Sequence, residues 1–88
     1  MIVRELEVTN ELGLHARVAS RITRLCQNFE SGVEAVKDGR RYNLKNVLSV
    51  MVLNVKFSEK LMVEFDGGDE EEAAKALEAL FADKFGEK

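Results

Sequence analysis

The sequence predicts an α+β fold: an open-faced β-sandwich whose four-stranded antiparallel sheet carries three helices on one face, in the order β-α-β-β-α-β-α. Three features lead there. Strand-like segments at 2–8 and 60–66 call for a sheet with one solvated face. An Asp-Gly turn joins two short strands near mid-chain, and two other stretches switch to the helical period. Eighty-eight residues suffice for one domain, spanning 1–88, and a second core would not fit.

Residues 2–8 place Ile2, Leu6 and Val8 on one face, with Glu5 and Glu7 on the other. Asn10-Glu11-Leu12-Gly13 breaks that strand. From Ala16 to Phe29 the spacing is helical: Val18, Ala19, Ile22, Leu25, Cys26 and Phe29 share an apolar face, while Arg17, Arg21 and Arg24 line another. Ser31-Gly32 ends the helix. Val33–Val36 and Arg41–Leu44 pair through Lys37-Asp38-Gly39-Arg40, because Asp-Gly tolerates the positive φ angles of a type I′ turn.

Residues 47–57 are ambiguous, since β-branched content favours a strand while Asn46 is a good N-cap for a helix over Val47–Leu53. Lys60–Asp66 is a clearer strand. After Gly67-Gly68, Asp69 caps a last helix whose Glu70-Glu71-Glu72 start suits the macrodipole and reads as a solvated face. Its core stripe runs through Ala73, Leu77, Leu80, Phe81 and Phe85.

Composition excludes several classes. A lone Cys26, on an apolar helix face, reads as buried and inert, and with a lone His15 it builds no His/Cys metal site. No apolar run reaches the roughly 20 residues that span a bilayer and the N-terminus is unlike a signal peptide, so the expected compartment is the cytoplasm. The net charge of −3 hides a basic middle: residues 15–60 carry +5 and residues 61–88 carry −6. Without aromatic stacking platforms, the arginines suit an acidic protein or a phosphoryl group better than nucleic acid.

His15 stands immediately before the first helical residue, a place where Ser, Asp or Asn would serve the free amides better. Amides from Ala16 onward and the helix dipole make an anion site beside the ring, and Arg17 adds a fixed positive charge. A neutral imidazole is a competent nucleophile. Read alone, such a residue is more often an exposed loop histidine beside a solvated arginine face.

The string Asn10-Glu11-Leu12-Gly13-Leu14-His15-Ala16-Arg17-Val18-Ala19-Ser20 resembles the active-site segment of the HPr family, histidine phosphocarriers of the bacterial phosphoenolpyruvate-dependent sugar phosphotransferase system. Of the family pattern Gly-Leu-His-Ala-Arg-Pro-Ala, only the proline is missing, replaced by Val18. The Lys37-Asp38-Gly39 hairpin, Asn43, the 45–53 segment and the acidic, Ala/Leu-rich final helix fall at family spacing, so the likeness covers essentially the whole chain and implies a short helix over 47–52.

The resemblance implies a mechanism. His15 would accept a phosphoryl group on Nδ1 from phosphorylated enzyme I and pass it to enzyme IIA domains of sugar permeases. Arg17 and the amides of Ala16, Arg17 and Val18 would hold the phosphoryl oxygens. Ser20, Arg21, Arg24, Val47, Leu48 and Met51 would form the surface that meets both partners, although Val47, Leu48 and Met51 read equally as core. Such a chain is a carrier rather than an enzyme, since its own residue is the substrate. It would need no cofactor or metal, bind no nucleic acid, insert in no membrane and act as a monomer.

Two departures matter. Val18 restores an amide N–H that proline lacks, and Asn46 stands where many relatives carry a serine phosphorylated by HPr kinase, so regulation there is not expected. Both leave open a second reading: a regulatory HPr-like module of the nitrogen-related branch, whose phosphorylation signals without sugar transport. A small hydrolase of the acylphosphatase type has the same element order, but its phosphate-cradling loop string is absent.

Overall fold

The computed structural model describes residues 1–87. Strands β1 (Ile2–Glu7), β2 (Gly32–Lys37), β3 (Arg40–Asn43) and β4 (Lys60–Asp66) alternate with helices α1 (Ala16–Gln27), α2 (Val47–Leu53) and α3 (Glu70–Ala82), and a 3-10 turn follows at Lys84–Gly86. The strand order is β1-β4-β2-β3, every pair antiparallel. Ile2 faces Phe65 and Leu6 faces Leu61 across β1–β4; Val33 faces Phe65 and Ala35 faces Val63 across β2–β4. The period of two sends these apolar residues to one side, where the helices cover them.

That covered side is the core: Val18, Ala19, Ile22 and Cys26 from α1, Val50 and Leu53 from α2, and Ala73, Ala74, Leu77 and Phe81 from α3 join Val33, Ala35, Leu61, Val63 and Phe65. Burial pushes the Cys26 thiol up to about 12, so it stays protonated and inert as expected. The open face carries Glu34, Arg41 and Glu64, with Arg41 paired to Glu64. No helix among the described residues is long and apolar enough to cross a membrane.

The expected hairpin forms, with Asp38 at φ 53° and Gly39 at φ 76°, both positive as the turn requires. The ambiguous stretch is helical over Val47–Leu53. Asn46 Oδ1 accepts from the amides of Leu48 and Ser49, and Asn54 ends the helix at φ 49°. Helix α1 stops at Gln27, two residues short of Phe29.

Two expectations need correction at the end of the chain. Asp69 does not cap α3 with its side chain. Its carboxylate instead accepts from the amides of Glu30 and Ser31 and from the Ser31 hydroxyl, tying the end of the α1–β2 connection to the start of α3. Phe85 is fully buried, but the α3 period does not carry it there. Lys84 and Phe85 both take positive φ (55° and 58°), and this reversal swings the Phe85 ring edge-on to Phe81, with centroids 4.7 Å apart.

Candidate functional site

His15 sits at the N-cap of α1 with extended backbone (φ −80°, ψ 177°), and no side chain caps the helix. The amides of Ala16, Arg17 and Val18 precede the first i→i−4 bond, from Ala19 N–H to the His15 carbonyl, so they remain donors at the positive end of the dipole.

The loop that delivers the histidine is held from below. Buried Asn10 donates from Nδ2 to the Gly13 carbonyl at 2.8 Å, and Leu14 N–H donates to the Val55 carbonyl at 3.0 Å. Gly13 has φ +69°, and a Cβ there would lie 2.7 Å from the Val55 carbonyl oxygen, so only glycine fits. Leu14 is buried, which leaves the next residue at the surface.

The His15 side chain is 28% exposed, and its Nε2 lies 2.8 Å from Glu87 Oε1. Asn10 Nδ2 donates to the same oxygen at 3.1 Å, and Arg17 reaches Oε2 at 3.8 Å. The hydrogen bond from the imidazole holds the Glu87 carboxyl below the usual carboxylate range, with smaller help from Asn10 and Arg17 against partial desolvation. Among the described residues Nδ1 has no hydrogen-bond partner.

The other anticipated residues divide. Arg17 and Arg24 are exposed beside the ring's helix, and Ser20 is half-buried. The arginine stripe is interrupted, because Arg21 donates to the Phe85 carbonyl and so anchors the C-terminal turn. Val18 is fully buried, so it can offer a bound anion only its amide. Val47, Leu48 and Met51 are exposed, and the alternative that they are core is corrected: Val50 and Leu53 take that role on α2.

Asn10 and Glu87 were not anticipated as site residues. Gly86 after an apolar Phe85 was the available signal that the chain turns back there (φ 76°). Among the described residues no group of acidic, histidine and cysteine side chains is arranged to hold a metal.

Residues 2–83 match the family described as PTS HPr component, phosphorylation site. The chain belongs to the HPr family. A phosphocarrier protein HPr of Cupriavidus necator is 41% identical over 87 residues, covering 99% of this chain and 98% of that protein. The crystal structure of an HPr from Thermoanaerobacter tengcongensis superposes with a TM-score of 0.94 at 36% identity, covering 100% of this chain and 99% of the other. A second structure from that organism, described as an HPr dimer, matches with a TM-score of 0.78 at 38% identity over 93% and 94% of the two chains. These likenesses support the phosphocarrier function of HPr over the signalling-only module.

Proposed function

We propose that His15 is the phosphoryl acceptor, that Nδ1 is the reacting atom, and that the donor and acceptor are enzyme I and the enzyme IIA domains of permeases. The observation that carries the reading is the state of the ring: partly exposed at a helix N-terminus, with Nε2 engaged by Glu87 and Nδ1 without a partner among the described residues. A neutral imidazole bonded in this way has its lone pair on Nδ1.

A phosphoryl group on Nδ1 would bring about two negative charges. The amides of Ala16, Arg17 and Val18 supply donors without reorganising, and the Arg17 guanidinium is close enough to leave Glu87 for the phosphoryl oxygens. Ser20, Arg24, Val47, Leu48 and Met51, with Arg21 in a lesser part, form the surface that meets the partners. An acidic rim would meet the arginines and an apolar centre would meet Leu48, which is 69% exposed.

In this reading the chain turns over only within the relay, in the cytoplasm, and is not an enzyme. Every group it uses comes from one chain, so a monomer suffices. Asn46 is occupied as the cap of α2 and has no hydroxyl to modify, which argues against control by HPr kinase there.

The test is incubation with phosphoenolpyruvate and enzyme I, followed by mass spectrometry. Acid-labile addition of one phosphoryl group, lost in His15→Ala, is the expected outcome. An acid-stable adduct, or one that survives in His15→Ala, refutes the assignment.

A further inference from the structure

Strand β1 lies at the border of the sheet, with β4 on one side of it and no strand on the other. Two pairs beyond Leu6–Leu61 in the same register, Val8 N–H donates to the Glu59 carbonyl. Bonded and non-bonded pairs alternate along an antiparallel ladder. Ile2, Arg4 and Leu6 therefore spend their main-chain groups on β4, while Val3, Glu5 and Glu7 turn theirs outward. Among the described residues one hydrogen bond reaches that border: Arg4 Nη1 donates to the Val3 carbonyl at 3.0 Å.

Helix α3 runs beside the same strand. The Met1 ammonium lies 3.3 Å from Glu70 Oε2, Arg4 Nε donates to Glu78 Oε1 at 2.9 Å, and the Thr9 hydroxyl donates to the Phe81 carbonyl, so strand and helix point the same way. Between them is a cavity of about 350 Å³, lined by Ile2 and Arg4 from β1 and by Glu71, Ala74, Lys75 and Glu78 from α3. The helix residues recur at i, i+3, i+4 and i+7 and make one face two turns long. Two turns span roughly 10 Å, the reach of about three strand residues.

We propose that this groove is a docking site for an extended, lysine- or arginine-bearing segment of a protein partner, which joins the sheet beside β1. The segment pairs its main chain with the N–H and C=O groups of Val3, Glu5 and Glu7. Every second side chain then faces the cavity.

Charge selects the occupant. The carboxylates of Glu5, Glu7, Glu71 and Glu78 outnumber the cations beside them, Arg4, Lys75 and Lys60. Arg4 is the sharper sign, because its one guanidinium bonds both a strand carbonyl and a helix carboxylate. A peptide N–H and a peptide cation make those two contacts when they replace it. Arg4 and Glu78 are 49% and 41% exposed, and an ion pair so exposed is easily displaced. A second copy of β1 fits worse, since centred antiparallel pairing sets Glu5 opposite Glu5. None of the lining residues is a neighbour of His15, so a partner held here leaves the ring open.

The probe is an acetylated and amidated Lys-Val-Lys-Thr-Lys peptide, with Glu-Val-Glu-Thr-Glu as its control, added at millimolar concentration to the full chain. Amide exchange in 1H–15N spectra reads the border directly. Without peptide, the amides of Val3, Glu5 and Glu7 should exchange fast and those of Arg4 and Leu6 slowly. The lysine peptide should shift and slow the three outward amides, and the glutamate peptide should not. Arg4→Ala should bind the lysine peptide about two- to fivefold tighter, and Glu78→Lys about tenfold weaker. Glu5→Pro lacks the outward N–H and should not bind; if it loses the sheet spectrum, Glu78→Lys decides. Equal binding of the two peptides, wild-type affinity in Glu78→Lys, or no shift at all overturns the proposal. Slow exchange of the three amides without peptide, growing with protein concentration, assigns the border to a second copy and overturns it too.

Discussion

Replacing Phe85 by alanine tests the C-terminal turn. The ring is fully buried and meets Phe81 edge-on, so burying it stabilises by roughly 1.5–3 kcal/mol and the aromatic contact adds about 0.5–1.5 kcal/mol. Against this stand two consecutive non-glycine residues in the left-handed region, Lys84 and Phe85, at roughly 1–2 kcal/mol each. The two sides are of similar size, so without the aromatic ring the turn has little to hold it closed. Phenylalanine-to-alanine changes in cores cost about 3–5 kcal/mol, and a site at the end of a helix can partly collapse, which favours the lower value.

The expected loss for Phe85→Ala is therefore about 3 kcal/mol, or a fall in Tm of roughly 12–20 °C for a chain of this size. Urea unfolding followed by circular dichroism measures it, and the midpoint should drop without a large change in slope. The turn also carries Glu87, so the same variant should lose the His15–Glu87 contact, seen as a changed ring spectrum at temperatures where the sheet is intact. A loss under about 1 kcal/mol, or an unaltered His15 environment, would refute the reasoning that burial of this ring holds the turn against its backbone strain.

Other outcomes follow from single contacts. Gly13→Ala should destabilise by more than about 2 kcal/mol in urea unfolding, because positive φ and the clash with the Val55 carbonyl add. Asn46→Ala should cost about 1 kcal/mol and lower the hydrogen-exchange protection of α2 ahead of the sheet, since the cap bonds to Leu48 and Ser49 disappear. Asp69 is held below its ordinary carboxylate value of 3.8 by the Ser31 hydroxyl and the Glu30 amide first. A depressed folded value means the stabilisation is complete well above pH 3.8 and is lost as pH falls through the lower folded value. Accordingly, Asp69→Asn should be less stable than the wild type at neutral pH, and the gap measured by thermal unfolding should narrow below about pH 4.

Local physics accounts for what the sequence made legible. The alternation at 60–66, the Asp38-Gly39 turn and the apolar period of α1 each report on neighbours within a few residues, and each element formed, α1 ending two residues earlier than it was read. The 47–57 stretch resisted periodicity because nearly every side of it is apolar, and Asn46 and Asn54 at its two ends were the informative residues. His15 and Arg17 were legible through their position at a helix start. Glu87 was not, because 72 residues separate it from the ring it touches and nothing local marks a charged residue as a long-range partner. The same holds for Arg21 and Asp69: period placed the first on a helix surface and propensity placed the second at a helix cap, whereas the packed arrangement chose the carbonyl and the amides they bind.

Strand β4 lies between β1 and β2, so Ile2 meets Phe65 only after most of the chain is available. During synthesis the first strand must wait unpaired, and an amino-terminal fragment would have no hydrophobic sheet surface to close upon. Distant pairing of this kind slows the search for the native arrangement and makes it cooperative. The residues that converge on the histidine lie as far apart in the chain as Asn10 and Glu87, so that cluster forms only after the later of them has been made.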